Sequence, residues 1–325
     1  MTSPLDFRNI GPAIGDRFPD GILPDQHGHR VDLHKAVCCV VQTCPKRDRL
    51  LSFYVQTVVV SVICLCLQGS AQAAPKANLW PRWQQHEPQS SATIDFTVWN
   101  TFLKKYVVTQ HPSGINRMQY ENVSTNDRQA LQQYVATLQT LPISTYNRNE
   151  QKAYWINLYN ALTVLVVLEH SPVASIRDIR ISPGLFSTGP WQAKLLAIEG
   201  EKLSLDDIEH RILRPIWKDN RLHYALNCAS LGCPNLAPIA YTTGNLEQLL
   251  DQEARAYVNH PRGVTFKDDT LHISSVYIWF QEDFGGNIDG VVQHLLHYAS
   301  DQLAEQLRSY RGKVKHAYDW RLNAP

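Results

Sequence analysis

Residues 147–170 read NRNEQKAYWINLYNALTVLVVLEH. Glu150, Tyr154, Leu158, Ala161, Leu162, Leu165 and Val166 recur at helical spacing. The second half is apolar all round, the pattern of a helix buried on most sides. This is the longest helix the sequence predicts. Asn157 and Asn160 lie within it at i and i+3, so they share one face. A buried amide without partners costs about 1–3 kcal/mol. The two amides therefore either join a hydrogen-bond network or line a polar cavity.

Elements of both types flank this helix. Upstream, Ile94 to Val107 has helical spacing, and Met118 to Val123 alternates like a short strand. Ser124-Thr125-Asn126-Asp127 opens a helix that runs to about Leu138. Downstream, Lys194–Ile198 and Lys202-Leu203 form a hairpin, and Ser204 with Asp207 resembles a capping box ahead of Leu205–Leu213. Leu222–Leu226 alternates as a strand. Asn245–Val258 is helical, Val264–Lys267 and Leu271–Ile273 pair across Asp268-Asp269-Thr270, and Ser274-Ser275 caps Val276–Glu282. Ile288–Arg308 reads as one helix, and Val314–Leu322 as an edge strand. Strands and helices mix without regular alternation. The expected fold is α+β: a small, mostly antiparallel sheet packed with several helices in a single mature domain.

The chain of 325 residues is 44% hydrophobic and 19% charged, enough to bury a core. A net charge of +1 argues against a nucleic-acid or anionic-membrane surface, since both need a cationic excess.

Lys46, Arg47 and Arg49 precede the apolar run Leu50–Leu67, and Gln68-Gly69-Ser70-Ala71-Gln72-Ala73-Ala74 follows. That order predicts a secretory signal peptide over residues 46–74, cut near Ala73, and a periplasmic or extracellular protein. An uncleaved anchor is the alternative, with membrane contact through that segment alone. Residues 1–45 are a leader: Gly15–Pro19 and Leu23–Gly28 resemble the opening of a peroxiredoxin-like thioredoxin fold, without the core that should follow. The mature domain is then residues 75–325, and Cys228 and Cys233 are its cysteines.

Both fall in residues 223–234, HYALNCASLGCP. Four segments share one resemblance: Tyr154–Ala161 (YWINLYNA), Leu203–His210 (LSLDDIEH), His223–Pro234, and Ser274–Phe284 (SSVYIWFQEDF). In this order and spacing the chain resembles the domain of unknown function 547 family over about residues 145–300. The resemblance implies no reaction, so the chemistry rests on residue types.

Four readings of the site stand side by side. In the first, Cys228 is the nucleophile of a hydrolase or acyl transferase acting on a peptide or amide bond. Such a thiol needs a base and a group to orient it. His223 is the nearest base in sequence, although residues five apart on a strand face opposite ways. His210 and His272 are rivals, and Asn157, Asn160 or Asp283 would orient the imidazole. Ser230, Ser274, Trp279, Asp283 and His210 are the binding candidates. In the second, a Cys228–Cys233 disulfide pins the turn in a structural domain. The third is a zinc site through His223, Cys228 and Cys233, at the edge of the usual pair spacing and in need of a fourth ligand. The fourth is a cleft lined by Trp191, Trp279, Phe280 and Trp320 that binds a peptide or small molecule without turning it over. No cofactor is expected.

Overall fold

The computed structural model describes residues 75–184 and 187–325, together with the backbone of a short antiparallel ladder, β1 (Ile22–Pro24) with β2 (Arg30–Asp32). The expected export segment lies outside the described residues, as does the redoxin-like leader apart from that ladder. The ladder falls in a different unit from the one that holds residues 75–325.

In that unit of residues 75–325 the fold is α+β, arranged around one helix. Helices α1 (Thr97–Tyr106) and α2 (Thr125–Gln139) precede it, and α3 (Arg148–His170) is the pillar. Asn147 caps α3 by accepting from the backbone N–H groups of Asn149 and Glu150, and side chains from Glu150 to Leu168 are buried. Burial on every side explains the loss of amphipathic period in its second half. Tyr154 donates to the carbonyl of Leu138 at 2.9 Å and ties α3 to α2.

The amides of α3 resolve into a network. Asn157 donates to the carbonyl of Tyr241 at 2.6 Å and accepts its N–H at 3.0 Å. Asn160 donates to the carbonyl of Ala225 and accepts the N–H of Asn227, both at 2.8 Å. Each amide thus stands in for a strand partner to a loop that has none. With both amide ends engaged to backbone, neither asparagine orients a histidine, which corrects that expectation.

Hairpin β5 (Leu196–Ile198) with β6 (Glu201–Leu203) follows, after the short ladder β3 (Val107–Val108) with β4 (Arg117–Met118). Met118–Val123 is strand only at its start, for Tyr120–Asn122 turns as a 3-10 helix. The capping pair is reciprocal: Ser204 N–H donates to Asp207 Oδ2 at 2.8 Å, and Asp207 N–H donates to Ser204 Oγ at 3.2 Å. What it opens is a π-helical segment, Asp207–Leu213, running into α4 (Arg214–Trp217). Such geometry is rare and clusters at functional sites.

Leu222–Leu226 is not a strand. Residues Leu222–Ala225 form the short helix α5, started by the N–H groups of Leu222, His223 and Tyr224 donating to Asp219, Asn220 and Arg221. All four of its side chains are buried, so the alternation in sequence carried no information about facing.

Helix α6 (Leu246–Val258) leads to a sheet of β7 (Val264–Lys267), β8 (Thr270–Ser274) and β9 (Val314–Ala317). β7 and β8 are antiparallel as expected, whereas β9 adds to β8 in parallel. A chain returning after α7 (Val276–Trp279), α8 (Ile288–Tyr298) and α9 (Asp301–Ser309) has the crossover that parallel pairing needs. The single helix expected over Ile288–Arg308 breaks at Ala299-Ser300, where Ser300 turns extended and caps α9. Among the described residues no helix is long and apolar enough to cross a membrane.

Candidate thiol site

After α5 the chain leaves helical geometry and makes a turn at residues 227–233. Asn227 Oδ1 accepts the N–H of Ala229 at 2.9 Å, and its Nδ2 donates to the carbonyl of Pro234 at 2.7 Å. Ala229 is held at φ 58, in the left-handed region. A non-glycine residue there costs of order 1–3 kcal/mol and persists where its surroundings over-determine it. The strained position directly follows Cys228, which is partly exposed.

Cys228 Sγ lies 3.0 Å from the Tyr318 hydroxyl and 3.2 Å from Ser230 Oγ, and those two oxygens are 2.9 Å apart. The Cys228 N–H donates to Cys233 Sγ at 3.0 Å, and both thiols are free. A hydrogen bond from Cys233, and further ones from Ser230 and Tyr318, hold the Cys228 thiol below its ordinary value, outweighing burial and the nearby charge of Glu209. Burial, then Cys228 itself, pushes the Cys233 thiol up. The pair is a half-buried sulfur disposed to ionise beside a buried one that keeps its proton.

Tyr318 reaches the site on a tail that follows β9. Gly232 N–H donates to Asp319 O and Leu231 N–H to Arg321 O, both at 2.8 Å, and Ser230 bridges to Leu322. The fit is close, since a Cβ on Gly232 would lie 2.7 Å from the Asp319 nitrogen. The same tail brings Trp320 against Trp279, with ring centroids 5.6 Å apart, and against Trp191 at 5.8 Å. Tyr318 packs on Trp279 at 4.8 Å. All four rings are partly exposed, so an aromatic wall stands beside the thiol.

His223 does not meet Cys228. It leaves α5 toward Asp283, with Nε2 2.7 Å from Oδ2, and its ring lies between Phe280 and Phe284 at 4.4 and 5.2 Å. Arg214 Nε donates to the same Asp283 oxygen at 2.6 Å, and its Nη1 lies 3.0 Å from His210 Nδ1. Burial raises the Asp283 carboxyl, but hydrogen bonds from His223 and Arg214 more than reverse this and leave it well below the usual carboxylate range. Burial lowers His210 to about 4, against the pull of Glu209. Glu209 is the hub: its Oε1 is 3.8 Å from His210 and 4.0 Å from His223, and its Oε2 accepts the Tyr159 hydroxyl at 3.1 Å. Beside it Asp206 is raised to about 7 by burial and by the charges of Glu209 and Asp207.

Arg214 and Asp283 also line a cleft of about 680 Å³ with Lys218, Asp219, Asn220 and Glu282. Cys228 is not among its lining residues. This cleft and the Cys228 sulfur thus do not coincide, and the sulfur, with its set of hydroxyl and thiol partners, is the more specific chemical signal.

The structure therefore brings Cys228 and Ser230 together, with Trp279 in the wall beside them. It separates from these a second group of His223, His210 and Asp283. His272 sits in β8 opposite Thr265, away from both groups. Ser274 is buried and structural: its Oγ takes the Tyr257 hydroxyl at 2.8 Å and the Val276 N–H at 3.2 Å. Phe280 stacks on His223 rather than joining the wall. Sequence reasoning missed Tyr318 and passed over Glu209 and Asp206. The latter two stand in the segment LSLDDIEH beside His210, where paired acids before a histidine were a usable signal. No such signal marks Tyr318. Among the described residues no group of three or more His, Cys, Asp or Glu is arranged to hold a metal ion.

Residues 143–258 match the model of a family described as a protein of unknown function, DUF547, and over that stretch the chain resembles it. The match takes in both asparagines, Glu209, both histidines and both thiols, and stops short of the resemblance expected to about residue 300. No curated protein and no solved structure matches the chain.

Proposed function

We propose that the protein is a cysteine-dependent hydrolase or acyl transferase with Cys228 as its nucleophile. The observation that carries this reading is the set of partners on one sulfur: the Tyr318 and Ser230 hydroxyls at 3.0 and 3.2 Å, together with the Cys233 thiol. Hydrogen bonds to the ionised form lower a thiol pKa and raise the population of the attacking species. Structural cysteines in apolar surroundings show the opposite shift.

In this reading the thiolate attacks the carbonyl carbon of an ester or amide. The carbon–sulfur bond forms, and the leaving group departs with a proton. Water or a second nucleophile then releases the acyl group and regenerates the thiol. Asp206, raised to about 7 beside Glu209, whose charge reaches the Cys228 thiol, is the acid suited to giving a proton near neutrality. Tyr318 and Ser230 hold the sulfur, the task first expected of a histidine. The wall of Trp191, Trp279 and Trp320 supplies flat apolar surface for the part of the substrate that does not react.

The alternative is a binding domain in which a Cys228–Cys233 bridge holds the turn. It has less support, because both sulfurs are free thiols and the turn is held by the backbone bonds of Asn227, Leu231 and Gly232.

The test is alkylation. Iodoacetamide at about pH 6 should label Cys228 much faster than a free cysteine, since an ordinary thiol near pKa 8.5 is barely ionised there. Intact-mass trapping with activated esters should give an acyl adduct that Cys228→Ser lacks. A Cys228 no more reactive than free cysteine, with no adduct, would sink the proposal.

A further inference from the structure

We infer that Cys228 and Cys233 form a reversible modification site, a dithiol that a low-molecular-weight disulfide converts to an intramolecular bridge. This rests on Cys228 being the reactive thiol of the preceding reading, and it adds a control on that reactivity.

Three features of the turn support it. The first is proximity. The Cys228 N–H donates to Cys233 Sγ at 3.0 Å, and that neighbouring sulfur is the first influence that lowers the Cys228 thiol. A sulfur seated on the backbone nitrogen of the other cysteine, five residues away, is within the short reach that a bridge needs.

The second is asymmetry. Cys228 is partly exposed, while Cys233 is buried at 4%. An incoming disulfide reaches Cys228 first, and the order of events is fixed by access. Burial also keeps Cys233 protonated until Cys228 is capped.

The third is that the turn does not depend on a bridge for its shape. Cys233 N–H donates to Ser230 O at 3.1 Å, and Gly232 and Leu231 are pinned to the tail at 2.8 Å each. A short loop also gains least from a covalent staple, because the closure entropy it removes is small. Closing or opening the bridge therefore changes the chemistry of the site with little change in the fold. That suits a switch better than a structural disulfide.

The steps balance. The Cys228 thiolate attacks one sulfur of glutathione disulfide; the protein–glutathione bond forms, and glutathione thiolate leaves. Cys233 gives its proton to that thiolate, and its sulfur attacks Cys228 Sγ. The Cys228–Cys233 bond forms, and the second glutathione departs and takes up a solvent proton. The protein loses two electrons, which reduce the glutathione disulfide. In the bridged form Cys228 has no thiolate to attack a carbonyl, and a dithiol restores it.

The experiment uses the full chain in glutathione redox buffers, followed by acid quench, alkylation and mass mapping of the peptides that carry Cys228 and Cys233, on which every outcome is read because the chain has five further cysteines. Wild type should end as the bridged form without a glutathione adduct, and dithiothreitol should reverse it. Cys233→Ser, and Cys233→Ala as a second variant, should stall as the Cys228 glutathione adduct. Cys228→Ser should take up none. A wild type that retains the adduct as the Cys233 variants do, or that stays fully alkylatable, overturns the inference. Iodoacetamide labelling of the reduced protein separates the two proposals. Fast labelling without bridging removes the switch and leaves the nucleophile, whereas bridging with slow labelling removes the nucleophile.

Discussion

The hydroxyl of Tyr318 lies 3.0 Å from the sulfur of Cys228 although the two residues are 90 apart in the chain. Tyr318→Phe keeps the ring in the aromatic wall and deletes the hydrogen bond. A hydrogen bond to a charged group is worth about 1.5–3 kcal/mol, and one pKa unit is about 1.4 kcal/mol. The pH profile of Cys228 alkylation should move up by about one unit with the melting temperature little changed. An unmoved profile would mean that Ser230 and Cys233 alone hold the thiolate.

Gly232→Ala should act on the same sulfur from a distance. Its Cβ would meet the Asp319 nitrogen at 2.7 Å, and backbone there can yield only by moving the tail. Slower alkylation at about pH 6, with a loss of about 1–3 kcal/mol in urea unfolding, is the expected pair of results. Unchanged alkylation would show that the tail tolerates displacement.

Asn160→Ala removes both partners of a loop that has no strand to pair with. Buried polar groups left unsatisfied cost about 1–3 kcal/mol each, and the Ala225 carbonyl and Asn227 N–H are two of them. Denaturant titration should show a loss of about 2–5 kcal/mol. A loss below about 1 kcal/mol would mean that water replaces the amide.

Asp283→Asn tests the second cluster by pH. The native carboxyl is held below its unfolded value by His223 and Arg214 in spite of burial. Its contribution is therefore present above about pH 4 and is lost as pH falls further. At pH 7 the variant should be less stable by about 3 kcal/mol, because it leaves the Arg214 charge, 3% exposed, without its carboxylate. The gap between variant and wild type should close toward pH 2–3, roughly where the native carboxyl begins to protonate. A gap independent of pH would count against the ion pair as its source.

Glu253 should behave in the opposite sense. It is buried at 4%, its Oε2 has no hydrogen-bond partner, and burial raises it to about 7 against the opposing charge of Arg262. A carboxyl raised on folding binds its proton more tightly in the native state, so stability falls as pH rises from about 4.5 to 7. Glu253→Gln should be more stable than wild type by about 1–3 kcal/mol at pH 8, a gain that fades toward pH 4. Equal stability at pH 8 would place the native carboxylate in contact with solvent.

What could be read in the sequence divides along local and distant causes. α3, α6 and the β7–β8 hairpin follow from period, caps and turn residues close in sequence. Leu222–Ala225 did not, because a segment buried on all sides shows no facing pattern. The π-helical geometry of Asp207–Leu213 adjusts hydrogen bonds within an already helical pattern, so it too leaves no trace. At the site, Cys228 and Ser230 were legible as neighbours on one turn. His223 was their partner by nearness in sequence alone, a pairing that strand geometry already disfavoured, and α5 carries it to Asp283 instead. Tyr318 was invisible, since nothing local to it announces a thiol so far back along the chain.

Synthesis gives that distance a meaning in time. A ribosome completes Cys228 well before it reaches Tyr318, and the tail that carries Tyr318 to Gly232 continues directly from β9, which pairs with β8. Until then the sulfur lacks its phenolic partner and the ring of Tyr318 that packs on Trp279. A nascent or half-folded chain therefore carries a quieter cysteine than the finished protein. On the proposed reading, the labelling rate of Cys228 reports whether two residues 90 apart have met, and so whether the tail is docked.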